Sequence, residues 1–200
     1  MTMFADPAFF RAVRAVVAPQ LRTWPNANVW LLGTSSGADA YALAIALREE
    51  GLDGRVRVHG TDVDDGALRR AREAAYPADI IASAYADYKD GGGRASLNDY
   101  LLERGATVRV REELRRHVVF AQYSPETDAS FAEQQLIVCR GALSSLQRTA
   151  RQRAWRVLHE SLCRFGVLAV SPAEGLDGNP CAGSYEALDA AHGLFRRGDA

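Results

Sequence analysis

Hydrophobic and polar positions along this chain switch repeatedly between two periods. Residues 29–32 form a short apolar run of strand length. After a Gly33–Gly37 turn, Ala40, Leu43, Ala44 and Leu47 recur at i, i+3, i+4 and i+7, one face of a helix. Residues 56–59 read as a second strand, and residues 66–75 as a second helix with Leu68, Ala71 and Ala75 at helical spacing. Such a β-α-β-α run predicts a parallel sheet covered by helices. Ahead of it, Asp6 and Pro7 suit the cap and first position of a helix. That helix carries Phe9, Phe10, Val13, Val16 and Val17 on one face and ends near Pro19, with Arg11 and Arg14 off the face. The two phenylalanines serve either the core or the overhang of a ligand.

The second half is less even. Residues 76–94 are the least regular stretch and end in Gly91-Gly92-Gly93, a mark of a flexible connection. Ser96 suits the cap of a short helix over 97–104. Residues 107–110 alternate like a half-solvated strand. Residues 118–121 and 135–139 read as buried strands, with a polar loop, 124–130, between them. A long helix is predicted over 145–165, with an arginine-rich outer face and Gly166 as its stop. A strand over 167–170, a Pro/Gly loop and a last strand near 193–196 complete one domain over residues 1–200, with a small irregular appendage around 76–117.

Composition adds bounds. Of 200 residues, 48% are hydrophobic and 24% charged, enough for a real core, and the net charge of −1 implies no bulk attraction to nucleic acid. Three scattered cysteines (Cys139, Cys163, Cys181) have neither disulfide nor zinc spacing, and His59, His117, His159 and His192 show no ligand spacing, so no metal site is expected. No apolar run is long enough to enter and span a membrane, and no signal-peptide pattern opens the chain; a cytoplasmic location is the expectation.

The chemistry lies at two turns. A strand feeding a helix through Gly33-Thr34-Ser35-Ser36-Gly37 directs backbone N–H groups and a helix N-terminus at one spot. Alone, this pattern is either a plain βα turn or a ligand cradle. At the end of the second strand stands Asp62, placed to accept hydrogen bonds from ribose hydroxyls. Alternatively, Asp62 or Asp64 caps the following helix, although Asp65 is better placed for that. Together the two turns point to a nucleoside.

Five stretches, in order, carry a resemblance to the CheR-type chemotaxis receptor methyltransferases. Phe4-Ala5-Asp6-Pro7 resembles the family's F-F-R-D-P. Residues 30–41, WLLGTSSGADAY, resemble W-S-A-G-C-S-T-G-E-E-P-Y. Thr61-Asp62-Val63-Asp64 resembles T-D-I-D, residues 107–120 the segment ending L-R-x-x-V-x-F, and residues 136–141, LIVCRG, the L-I-x-C-R-N motif.

The resemblance implies an α/β, Rossmann-like class I fold that binds S-adenosylmethionine (SAM) or its product S-adenosylhomocysteine (SAH). It places cofactor contacts at Leu32, Gly33, Thr34, Gly37, Asp39, Asp62, Val63 and Ser124. It implies transfer of a methyl group to glutamates of a protein partner, a receptor or signalling protein, with Arg140 holding the acceptor carboxylate. Arg140 can alternatively bond carbonyls of neighbouring strands. Several positions depart from the family: Ala5 replaces an arginine, Ala38 the glutamate that meets the methionine end of SAM, Gly141 an asparagine, Ser145 a tyrosine and Ser124-Pro125 an N-L pair. Because the match begins at Phe4, the family's N-terminal helical domain is expected to be missing. Three functions remain: a divergent protein-glutamate O-methyltransferase, a non-catalytic SAM/SAH-binding or partner-docking module, and a small-molecule methyltransferase.

Overall fold

Ala27–Leu32 (β1) is an interior strand of a seven-stranded sheet, and all of its residues but Asn28 are buried. The computed structural model describes residues 2–131 and 133–199. Ahead of β1, helix α1 (Pro7–Ala12) begins at Asp6, whose carboxylate accepts the Phe9 amide at 3.1 Å. The helix does not stop at Pro19. A π-helical turn, Val13–Val17, leads into α2 (Ala18–Leu21), so Pro19, which has no N–H to donate, is carried inside a continuous helical run next to the π turn.

Helix α3 (Ala38–Leu47) follows β1 and carries no single apolar stripe, because every residue except Asp39 is buried. It runs on through a π-helical turn, Arg48–Leu52. Strand β2 (Val56–Asp62) is longer than predicted and includes Asp62 itself. Helix α4 (Asp65–Glu73) is capped by Asp64, whose Oδ1 accepts the Gly66 amide at 2.8 Å; Asp65 is its first residue and not the cap.

The stretch read as irregular is ordered. Ala75–Pro77 forms β3 and Ala78–Asp90 forms α5, which buries Ile81, Ala84 and Tyr88 at i, i+3 and i+7. Ile80 and Tyr85 beside that stripe blur it in sequence. The three glycines make a packed turn: a Cβ on Gly93 would lie 2.3 Å from the Tyr88 ring. Ser96 caps only the 3₁₀ turn Leu97–Asp99, and β4 (Leu101–Arg104) takes the place of the predicted helix. With β5 (Thr107–Val110), these strands make a three-stranded antiparallel sheet, β3-β5-β4. The short helix α6 (Glu112–Arg115) and strand β6 (Val118–Gln122) lead back to the main sheet.

Beyond β7 (Gln134–Cys139), helix α7 spans Arg148–Ser161, shorter than predicted at both ends. Strand β8 (Leu162–Val170) starts at once, because Leu162 pairs with Gln134. Gly166 is therefore not a helix stop but part of an irregularity inside β8, next to Phe165 at φ 62°. Strands β9 (Tyr185–Asp189) and β10 (Leu194–Arg197) finish the chain.

The main sheet has the order β6-β2-β1-β7-β8-β10-β9 and is parallel except for β10, which runs against both neighbours. Side chains alternate across it. Val29, Leu31, Leu136 and Val138 face a core shared with α1 to α5, whereas Trp30, Leu32, Ile137 and Cys139 face one shared with α7. From β1 the chain steps outward to β2 and β6, then returns to β7 on the other flank. The carboxyl ends of β1 and β7 thus flank a topological switch point, where open α/β sheets leave a crevice. No helix among the described residues is long and apolar enough to cross a membrane.

Candidate functional site

The turn after β1 is fixed by its neighbours. Gly33 and Thr34 donate their amides to the Thr61 carbonyl at 2.8 and 2.9 Å, and the Gly37 amide closes the turn on the Thr34 carbonyl at 2.9 Å. Gly33, Ser35 and Gly37 all have left-handed φ, 76°, 49° and 78°. The two glycines meet that demand without strain, and Ser35 is held in it by its surroundings.

The turn's residues divide by direction. Gly33 is exposed at the crevice. Gly37 is buried, and a Cβ there would lie 2.8 Å from Ala71 Cβ and 2.9 Å from Phe120, so its smallness serves helix packing. Thr34 is buried, and its hydroxyl faces Gly60 beneath the turn. Asp62 is not free in the sense expected. Its Oδ2 accepts the Ser35 amide at 2.8 Å and its Oδ1 the Asp64 amide at 3.1 Å. A carboxylate has about four acceptor sites, so two remain.

At the switch point lies a cavity of 340 Å³. Leu31, Leu32 and Gly33 line it from β1 and its turn, Val138, Arg140 and Gly141 from β7, and Ser171 from the end of β8. Ala5 and Asp6, ahead of α1, and Phe9 and Phe10 on it cover the cavity, and α3 contributes Asp39 and Leu43. Phe9 and Phe10 therefore serve both readings, core and overhang. Asp39 takes the place in the cavity that Ala38, fully buried behind it, cannot fill. Burial pushes the Asp39 carboxyl up to about 6, although the Arg140 charge pulls the other way.

Arg140 follows β7 and, among the described residues, bonds no strand carbonyl. Its Nη2 donates to Asp6 Oδ2 at 2.6 Å, and its guanidinium stacks 4.2 Å from the Phe9 ring centre. Its Nε is buried with no hydrogen-bond partner among the described residues. Burial alone would raise the Asp6 carboxyl, but the Arg140 bond, the Phe9 amide and the Arg140 charge together hold it below the ordinary aspartate range.

A second hollow, 260 Å³, opens at the far side of Asp62, lined by Val63, Gln122, Tyr123, Ser124, Thr127 and Asp128. Ser124 stands there with its amide bonded to Asp128 at 2.8 Å. The carboxyl ends of β8, β7, β1, β2 and β6 thus present, in a row, the cavity, the Asp62 carboxylate and the hollow. Four strand spacings of about 4.8 Å give this row a length near 19 Å, room for an elongated ligand with a polar amino-acid end and a flat base end. The residues fit such a group. The tertiary structure adds Asp6 and Ser171, which sequence reasoning did not place in the site; only the D-P motif ahead of α1 hinted at the first.

Comparison with known proteins finds relatives along most of the chain. The family model for the CheR methyltransferase SAM-binding domain matches residues 2–190. The Pseudomonas putida protein named as methyltransferase Cher3 is 36% identical over 98% of this chain and 71% of its own length. The Listeria innocua chemotaxis protein methyltransferase is 25% identical over 74% of this chain and 53% of its own. Among solved structures, PKMT2 from Rickettsia typhi superposes with a TM-score of 0.48 at 15% identity, over 85% of this chain and 26% of that one.

Proposed function

The chain belongs to the CheR methyltransferase SAM-binding domain family, and on that premise we propose that it is a carboxylate O-methyltransferase domain acting on a protein glutamate in chemotaxis-type signalling. Its fold is the Rossmann-like class I methyltransferase fold, and its cofactor is SAM. One observation carries the acceptor assignment. Arg140, the one cation lining the cavity among the described residues, already grips a carboxylate, Asp6, at 2.6 Å.

The residues divide the work along the row. Asp39 offers a carboxylate to the ammonium of the methionine end. Gly33 lets the backbone approach, and the two spare acceptor sites of Asp62 suit ribose hydroxyls. Val63 and Ser124 border the hollow for the base. When bound, SAM supplies an electrophilic methyl group, which a carboxylate takes up without a general base. Arg140 has only to orient that acceptor, which shares or displaces its contact with Asp6, while Phe9 and Phe10 keep water away. Ala5, Gly141 and Ser145 offer no second group to hold it. This scarcity favours one rival reading, a domain that binds SAM or SAH and signals without transfer.

Calorimetric titration with SAM and SAH, followed by incorporation of labelled methyl into receptor preparations, tests both. Micromolar binding with incorporation into alkali-labile esters is the expected result. Binding without incorporation supports the signalling module, and no binding at millimolar ligand removes both readings.

A further inference from the structure

The glycine turn is held from a second direction, by the small antiparallel sheet. Tyr76 is the central residue of β3, where it pairs with Val108 of β5. Its ring is buried, and its hydroxyl reaches out of that sheet to donate to the Ser36 carbonyl at 3.0 Å. The preceding residue, Ser35, is the one with a left-handed φ of 49° and no glycine to allow it. Its amide is the donor to Asp62. The two bonds act on adjacent residues: Asp62 takes the N–H of Ser35, and Tyr76 anchors the carbonyl of Ser36.

We infer that Tyr76 is a positioning residue for the cofactor site, acting through Ser36 and Ser35 on the orientation of the Asp62 carboxylate. The inference rests on the assignment of Asp62 to the cofactor. Without the hydroxyl, the Ser36 carbonyl turns to water, and Ser35 is released toward the negative φ that residues with a Cβ prefer. The Ser35 amide then no longer fixes Asp62 Oδ2, and the spare acceptor sites lose their direction. Burial, with the neighbouring Tyr41 and Asp39 adding to it, pushes the Tyr76 hydroxyl well above its ordinary range, so it remains a donor across the physiological range. The small sheet thereby becomes part of the cofactor site, although none of its residues lines the cavity or the hollow.

The test compares Tyr76→Phe with Tyr41→Phe in the full chain. Tyr41 also gives a buried hydroxyl to a backbone carbonyl, that of Ala71 in α4 at 3.0 Å, and not to Ser35 or Ser36. Both variants lose one such bond and should melt at similarly lowered temperatures. SAH affinity by calorimetry should fall about fivefold in Tyr76→Phe and stay unchanged in Tyr41→Phe. Hydrogen exchange at the Ser35 amide of the ligand-free protein should quicken only in Tyr76→Phe. Equal affinity of Tyr76→Phe and the unaltered chain overturns the inference and leaves the cofactor reading standing, as does an equal loss in both variants. Absence of SAH binding by the unaltered chain overturns the cofactor reading and the inference with it. The exchange measurement decides whether the turn is the route, and unchanged exchange at Ser35 removes it.

Discussion

Arg140 and Asp6 stand 134 positions apart in sequence and 2.6 Å apart in space, at the lip of the cavity. The pair joins the end of β7 to the cap of α1. Asp6 uses its two oxygens for different tasks, Oδ1 for the Phe9 amide and Oδ2 for Arg140. An acceptor carboxylate must share or displace this contact.

Replacing Arg140 should therefore separate chemistry from cofactor binding. Arg140→Gln is expected to lower methyl transfer by about a hundredfold, because the acceptor loses its anchor. SAH affinity should stay within about threefold, since Arg140 is not itself one of the assigned cofactor contacts. Parallel calorimetry and single-turnover rates check the split. Equal losses in both would place Arg140 in the cofactor site.

Asp39 should make both stability and binding depend on pH. Its carboxyl is raised to about 6, so the folded state holds a proton that the unfolded chain, at about 3.9, has already lost. Stability is thus lost as pH rises from about 4 to 6 and is constant above that, a difference of roughly 3 kcal/mol. Asp39→Asn should flatten this slope in denaturant titrations between pH 4 and 7. SAH, with its ammonium, should bind more tightly to the unaltered chain as pH rises through 6, and Asp39→Asn should abolish that dependence.

Glu49 is the hub between the first helix and the small sheet. Buried, it accepts from Arg14 at 2.7 Å, from Tyr100 at 3.1 Å, from the Ala95 amide at 3.2 Å and from the Tyr88 hydroxyl. Glu49→Ala takes the acceptor from Arg14 Nη2 and from two tyrosine hydroxyls, while Arg14 keeps Glu50 and the Gly91 carbonyl, and is expected to cost about 3 kcal/mol by urea unfolding. Burial alone would raise the Glu49 carboxyl, but the Tyr88 and Arg14 bonds, the Arg14 charge and the Ala95 amide together lower it. Its contribution is therefore present above the unfolded glutamate value, about 4.3, and lost as pH falls through the lower folded value. The variant should lack that part of the acid transition.

Gly37 should tolerate no side chain. Gly37→Ala places a Cβ 2.8 Å from Ala71 and 2.9 Å from Phe120 at φ 78°, and both the clash and the backbone oppose it. A loss of about 2–3 kcal/mol in unfolding free energy is expected. A near-neutral result would show that α3 and α4 can separate at this point.

How much of this was legible in the chain differs from element to element. The β1-turn-α3 unit, the Asp62 turn and the strands β5, β6 and β7 were readable, because periodicity and glycine placement are local properties. The family motifs at Trp30–Tyr41 and Thr61–Asp64 were readable for the same reason, and they mark the turns at which the cofactor is proposed to bind. Residues 76–94 were not readable as strand and helix, since Ile80 and Tyr85 flank the stripe that α5 buries. Arg14 looked like a surface residue beside an apolar face, yet it lies buried against Glu49 and Glu50, partners 35 and 36 positions away.

The chain by itself determined the alternation of strands and helices, the cradle of Gly33 and the carboxylate of Asp62. These depend on residues close in sequence. Only the tertiary structure decided that Asp39 stands in the cavity in place of Ala38, that Asp6 holds Arg140, and that Tyr76 reaches the glycine turn. Each of these depends on which strand ends the sheet order brings side by side, and burial and partner distance arise only once the sheet has closed over its helices.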